Sequence, residues 1–259
     1  MVSERQATAG VPTQSEVQAV TAFITLLKAR GSLRGADLRG LDLRMQDFRS
    51  CDLSDADLTG ATLSGSDLSH ADLSGTILSG TSVQGVILAG ANLCRAKVAG
   101  LDLTDADLSR CSLMFGSLKG SNLTRANLNG ADLREADLSG AILSGASLTG
   151  AWMNGIGLHG AELTGFDLPD GRLAGAWLAG AKLCGANLER ANLRGARMRG
   201  AALRGANLFG AHLDMADLRG ADLSGADLMR AIIGGARMTA VSYDMTTRWP
   251  EKFAPPPAF

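Results

Sequence analysis

The sequence predicts an all-β solenoid, and three observations carry that prediction. The first is an unbroken five-residue frame: from Leu33 to Met238 all 42 positions are large and apolar, and 35 of them are Leu. The exceptions are Phe48, Val83, Val98, Met153, Met198, Ile233 and Met238. The second is a small residue two positions earlier, Ala in 27 of 42 repeats and mostly Gly, Ser, Thr, Cys or an aliphatic elsewhere. The third is turn chemistry: the residue between the two is Asp or Asn in half of the repeats, and the fifth is Gly in 27 of 42.

A period of five matches neither the 3.6 of a helix nor the two of a long strand, so each pentapeptide reads as one short extended side of a coil followed by a turn. The Leu and the small residue point inward. Leu fills the axis, and close packing closes the small site to larger side chains. The other three residues face solvent.

Residues 31–240, about four fifths of the chain, keep the pattern A(D/N)Lxx in frame and resemble the pentapeptide-repeat family. The resemblance implies a right-handed quadrilateral β-helix with four pentapeptides, about 20 residues, per coil. That gives about ten coils and, with strands ~4.8 Å apart, a rod of ~50 Å. Open coil ends invite edge-to-edge polymerisation, so both flanks should be caps. In residues 1–30, Ser15 and Gln18 form a capping-box pattern, and Val17, Val20, Phe23, Ile24 and Leu27 recur at helical spacing. An N-terminal capping helix over about 15–30 is expected, with Phe23 and Leu27 on the first coil. In residues 241–259, Tyr243, Asp244, Thr247, Trp249, Pro250 and Phe253 resemble the YDxxTxWPxxF tail that follows the repeats in family members. The expected role of Tyr243, Trp249 and Phe253 is an aromatic lid; a partner-binding tail is the alternative.

Composition sets limits on function. The chain has 25 Lys+Arg against 26 Asp+Glu, a formal charge of −1, so any strong field comes from where the charges sit. No run approaches the ~18 apolar residues of a membrane helix, and no secretory leader pattern opens the chain, so the expected address is cytoplasmic and off the membrane. Cys51, Cys94, Cys111 and Cys184 form no CxxC pair, so no metal or redox site is expected and they read as small apolar residues. His70, His159 and His212 occupy outward positions without a partner motif. No enzyme and no cofactor are expected.

Residues 20 apart should stack, which sorts the outward residues into ladders. Asp47, Asp67, Asp107, Asp167 and Asp227 form one acidic ladder with no basic residue on its repeat rungs. Asp52, Asp55, Asp57 and Asp72 surround its start in a stretch, residues 51–90, free of Lys and Arg. Arg34, Arg39, Arg44 and Arg49 ring the first coil, placed to pair with Asp37, Asp42, Asp47 and Asp52. A basic belt, with Arg190, Arg194, Arg197, Arg199 and Arg204, lies toward the other end. Trp152 and Trp177 occupy outward positions, as do Phe115 and Phe209, and exposed aromatics are typical interface anchors, for a foreign partner or for self-association into a homodimer.

What the resemblance adds is a partner. Several bacterial members, among them the quinolone-resistance group and self-protection proteins of antibiotic producers, bind DNA gyrase or topoisomerase IV as rods of duplex-like width with an acidic face. Here sides of about five residues span at most ~16 Å, near that scale. The chain departs from those members in its balanced charge, in having no insertion within the frame, and in a tail without an apolar dimerising helix. The expected function is therefore a non-enzymatic protein that contacts a type II topoisomerase as a DNA mimic or as a protector against its poisons. The alternative is a scaffold with another protein partner. Direct nucleic-acid binding through the Arg belt is disfavoured, because aromatics are sparse and the acidic half repels phosphate.

Overall fold

One pentapeptide explains the whole rod, because all five of its backbone N–H groups find acceptors. In Ala56–Gly60, the Ala56 N–H donates to the Leu53 carbonyl at 3.0 Å and closes a tight turn. Asp57 donates to Ala36 of the preceding coil at 3.0 Å, and Leu58 and Gly60 donate to Ile77 and Ser79 of the next at 2.8 and 3.0 Å. The fifth donor, the Thr59 N–H, has no coil partner, and the Asp57 carboxylate accepts it at 3.0 Å. This Asx turn is the local reason for Asp or Asn at the third position.

The structure, a computed structural model, describes residues 32–257. The capping helix expected over 15–30, with Phe23 and Leu27, lies outside the described residues. The backbone repeats as expected: with few exceptions, parallel bridges join the residue at the third position to the one 20 further on, on four sides per coil. One ladder is unbroken from Asp37 through Trp177 and Arg197 to Arg237. The turn requires a left-handed residue at the fifth position. Every such residue from Gly35 to Ala240 has positive φ, Gly in most coils but also Asp105 (58°), Phe115 (58°) and Arg125 (56°).

Both inward columns are buried. Leu118, Leu128 and Leu193 are 0% exposed, and so are Ala126, Ala186 and Ala221 in the small column. The small site is not closed to larger residues, however, which corrects the sequence-based expectation. Leu101, Ile156 and Phe166 sit there fully or nearly buried, each between small neighbours of its own column, such as Ala146 and Ala186 around Phe166. Two of them cost regularity. Among the described residues the bridges Ser82 to Asp102 and Ser147 to Asp167 are the steps missing beside Leu101 and Phe166. Overpacking moves the wall rather than the core. Beside Leu101 a buried hydroxyl repairs the turn: Ser121 Oγ donates to the Val98 carbonyl at 2.9 Å and accepts the Leu101 N–H at 3.3 Å.

After Ala240 the register lengthens by one residue, so Asp227 bridges Arg248. Thr247 Oγ1 anchors this wider coil to the Leu223 carbonyl at 3.0 Å. Tyr243, Trp249 and Phe253 pack against the core, with the Tyr243 and Trp249 rings edge-on at 5.3 Å. The Tyr243 hydroxyl donates to the Pro256 carbonyl at 2.6 Å.

Candidate interaction surface

With the axis filled by Leu, reactive and charged groups are carried on the walls. His70, His159 and His212 are exposed, and no group of three or more His, Cys, Asp or Glu among the described residues could hold a metal ion. Cys111 occupies an inward small site, where burial pushes its thiol up to about 12; Cys94 and Cys184 stand half-buried on outward columns. No described helix is long and apolar enough to cross a membrane.

The acidic residues do two jobs, and both reduce the field they project. Most third-position aspartates first accept a backbone N–H of their own turn, as Asp67 does from Ser69 at 2.9 Å; Asp167 cannot, because Pro169 stands where the donor would be. Where the sequence reads Asp-Leu-Arg or Asp-Phe-Arg, the arginine two residues on folds back and clamps the same carboxylate. Arg39 to Asp37 and Arg44 to Asp42 are both 2.6 Å, and Arg49 to Asp47 is 2.7 Å. Three of the four ring arginines thus pair as the sequence suggests; Arg34 instead reaches Asp55 at 3.2 Å rather than Asp52, whose carboxylate holds Ser32 and Ser54. Those hydroxyls keep Asp52 below the usual carboxylate range, and Thr59 does the same for Asp57.

The acidic ladder is compensated at both ends. Asp47 pairs with Arg49, which also lies 3.8 Å from Asp67, and the lengthened last coil brings Arg248 to Asp227 at 2.7 Å. The basic rung was invisible in a strict count of 20. In the middle, Asp107 and Asp167 accept from the Asn127 and Asn187 side chains at 3.1 and 2.8 Å. Asp72 accepts from Asn92 at 3.0 Å. The N-terminal coils keep an acidic excess all the same, with eight Asp against four Arg over residues 32–90.

The basic belt divides. Arg190 is paired with Asp170 at 2.8 Å and Glu189 at 3.0 Å, Arg194 with Asp214 at 3.5 Å, and Arg204 with Asp222 at 3.9 Å. Lys182 is paired with Glu162 one coil below. Arg197 and Arg199 make no salt bridge with any described residue, and Arg197 instead stacks its guanidinium 3.8 Å from the centre of the Trp177 ring.

Trp152 and Trp177 are 45% and 50% exposed and Phe115 53%, so all three stand outward as expected. Phe209 is only half-buried, with Arg230 5.6 Å from its ring. Trp152 has Arg172 at 4.0 Å on the next rung and Arg134 at 5.8 Å on the previous coil. These arginine partners were missed, although adding 20 to each Trp number finds Arg172 and Arg197. Also missed was a groove on the Trp177 wall, where Arg219 and Arg237 join Trp177, Arg197, Arg199 and Asp217. Met45 and Met215, 79% and 67% exposed on left-handed corners, carried no sequence signal beyond breaking the Gly pattern.

Comparison with known proteins places this architecture. The family described as "Pentapeptide repeats" matches in 8 copies, over residues 32–65, 47–80, 76–113, 87–125, 121–160, 172–208 and 206–242. Among solved structures, the chain is similar to HetL, a pentapeptide repeat protein involved in heterocyst differentiation regulation from the cyanobacterium Nostoc sp. strain PCC 7120. The identity is 31% over 86% of this chain and 95% of that one, with a TM-score of 0.41. QnrB1, a plasmid-mediated fluoroquinolone resistance protein, matches at 19% identity over 81% and 90% of the two chains with a TM-score of 0.37. Rfr23, a pentapeptide repeat protein from the cyanobacterium Cyanothece 51142, matches at 18% over 89% and 99%, with a TM-score of 0.21. No curated protein matches the chain in sequence.

Proposed function

The chain belongs to the pentapeptide-repeat family, whose fold is a right-handed β-helix, and from that premise we propose that it is a non-enzymatic binding rod that contacts a protein partner through its outer walls. The observation that carries this reading is the division of labour between columns. Two of every five residues are spent on a closed axis, and the remaining three stack into outward rows at the coil spacing. Such rows are a recognition surface, whereas a packed axis leaves no room for converging catalytic groups.

The candidate partner is a type II topoisomerase, DNA gyrase or topoisomerase IV, met as a DNA mimic or as a protector against its poisons. Its support is the acidic N-terminal end, where Asp37 and Asp57, Asp47 and Asp67, and Asp52 and Asp72 stack as adjacent rungs on three walls. After subtraction of the four arginines, the excess over these three coils is four charges. Duplex DNA carries one per ~1.7 Å, or about eight over three spacings of ~4.8 Å, so the match in linear density is about one half. A gyrase supercoiling and cleavage assay, with and without a poison, tests this form of the reading. Inhibition or rescue that disappears on Asp47→Lys and Asp67→Lys supports it, and no effect in either arm removes it.

A second reading, a scaffold unrelated to topoisomerases, is favoured by the exposed Trp152 and Trp177 with their stacked arginines. Aromatic and Arg anchors concentrate binding energy at protein interfaces. Under this reading Trp152→Ala and Trp177→Ala abolish partner binding and the acidic substitutions leave it intact.

A further inference from the structure

Most cations among the described residues are matched to a carboxylate, and three of those that are not converge in one groove. Arg197, Arg199 and Arg237 make no salt bridge with any described residue, and all three line the groove on the Trp177 wall. The ladder there runs Trp177, Arg197, Asp217, Arg237 on successive coils. Asp217 is held by Arg219 through two bonds of 2.7 and 2.6 Å, which leaves the groove with three guanidinium groups that make no salt bridge with a described residue, beside an indole.

We infer that this groove is a docking site for an acidic, carboxylate-rich peptide segment of a partner protein. Two features favour a peptide over a nucleic acid. One face of the Trp177 ring is occupied by Arg197 at 3.8 Å, so that face is not offered to a base for stacking. The Asp217 carboxylate lies in the row between Arg197 and Arg237, where an unbroken phosphate backbone would meet it, while a peptide can place an uncharged residue there. Arg forks are suited to bidentate carboxylate recognition, and a guanidinium stacked on indole is pre-organised for it. The inference rests on the reading of the chain as a protein-binding rod but not on a topoisomerase as its partner.

The test is fluorescence anisotropy of a labelled Glu decamer titrated with the full chain at low and physiological salt. A Gln decamer and an oligo-dT strand serve as comparison probes. The site predicts that the Glu decamer binds in preference to both, more weakly as salt rises. The double variant Arg199→Glu with Arg237→Glu is expected to lose about tenfold, the product of two exposed ion pairs each worth a factor of a few. Neither arginine makes a salt bridge with a described residue, and Asp217 keeps its two bonds from Arg219, so the variant should keep the wild-type melting profile. Arg110→Glu with Arg230→Glu, outside the groove, is the control and should bind as wild type. Equal loss in the control, absence of Glu-decamer binding at low salt, or tighter binding of oligo-dT with the same loss each overturns the proposal. So does self-association that the groove variant abolishes, which would make a second copy the occupant. A failed decamer titration beside a positive supercoiling assay removes the groove and leaves the binding-rod reading standing.

Discussion

Replacing Gly140 by Ala isolates the cost of the left-handed corner that every coil must make. Gly140 has φ of +67°, its N–H donates to the His159 carbonyl at 2.9 Å, and a Cβ built there would meet nothing within 4 Å. Steric clash with neighbours is therefore excluded, and the effect reduces to backbone conformation. Holding a residue with a Cβ in the left-handed region costs about 1–2 kcal/mol. The smaller unfolded-state entropy of Ala returns about 0.4–1 kcal/mol. The net expectation is a loss of about 0.5–1 kcal/mol, measurable as a lower urea midpoint at unchanged slope in far-UV circular dichroism. The opposite substitution makes the converse case. Arg110 has φ of 56°, so Arg110→Gly should raise the midpoint by a similar amount. Gly116→Ala should cost more than Gly140→Ala, because there a Cβ would lie 2.9 Å from the Leu113 carbonyl oxygen. A neutral or stabilising Gly140→Ala together with a destabilising Arg110→Gly would refute the claim that corner geometry sets the fifth position.

Ser121→Ala removes the hydroxyl bridging Val98 and Leu101, leaves the buried Leu101 N–H without its acceptor, and should cost about 1–3 kcal/mol in the same unfolding assay. Ala201→Leu, at a site 1% exposed between Ala181 and Ala221, should cost about 1–3 kcal/mol and increase hydrogen exchange locally, as the missing ladder steps beside Leu101 and Phe166 foreshadow. Asp217, hydrogen-bonded by Arg219, has its carboxyl lowered to about 2. A depressed folded value means that the pair stabilises above the unfolded carboxylate range near 4 and is lost as pH falls toward about 2. Melting temperature followed across that window should drop less for Asp217→Asn than for wild type.

Much of this was legible in the sequence, for a physical reason: one five-residue frame sets backbone, burial and exposure together. Leu118 and Ala126 are buried, and Trp152 and Trp177 stand outward, as the frame alone requires. The Asx turn under Asp57 follows from the same register, although turn propensity by itself did not reveal that the carboxylate accepts the one N–H the coil leaves over. What stayed hidden depends on contacts between coils or on changes of register. Arg248 meets Asp227 because the last coil is one residue longer, which a ladder counted in twenties cannot show. The acidic ladder looked unopposed because rungs were compared with rungs, while Arg49 folds back from its own side of the coil. Leu101 and Phe166 were legible as pattern breaks, but that the wall yields instead of the axis is a packing outcome. The groove around Arg199 and Arg237 needed both steps at once: stacking by twenty, and subtraction of every arginine already paired.

The topoisomerase form of the wall-display account is tested most directly by gyrase supercoiling in the presence of the full chain, wild type against Asp47→Lys with Asp67→Lys, and against Trp152→Ala with Trp177→Ala. The account predicts that the wild-type rod inhibits supercoiling or relieves a poison, that reversing the acidic rungs abolishes the effect, and that the tryptophan variant retains it. An effect that survives loss of the acidic rungs, or a wild-type protein that leaves both supercoiling and poisoned cleavage unchanged, would contradict it.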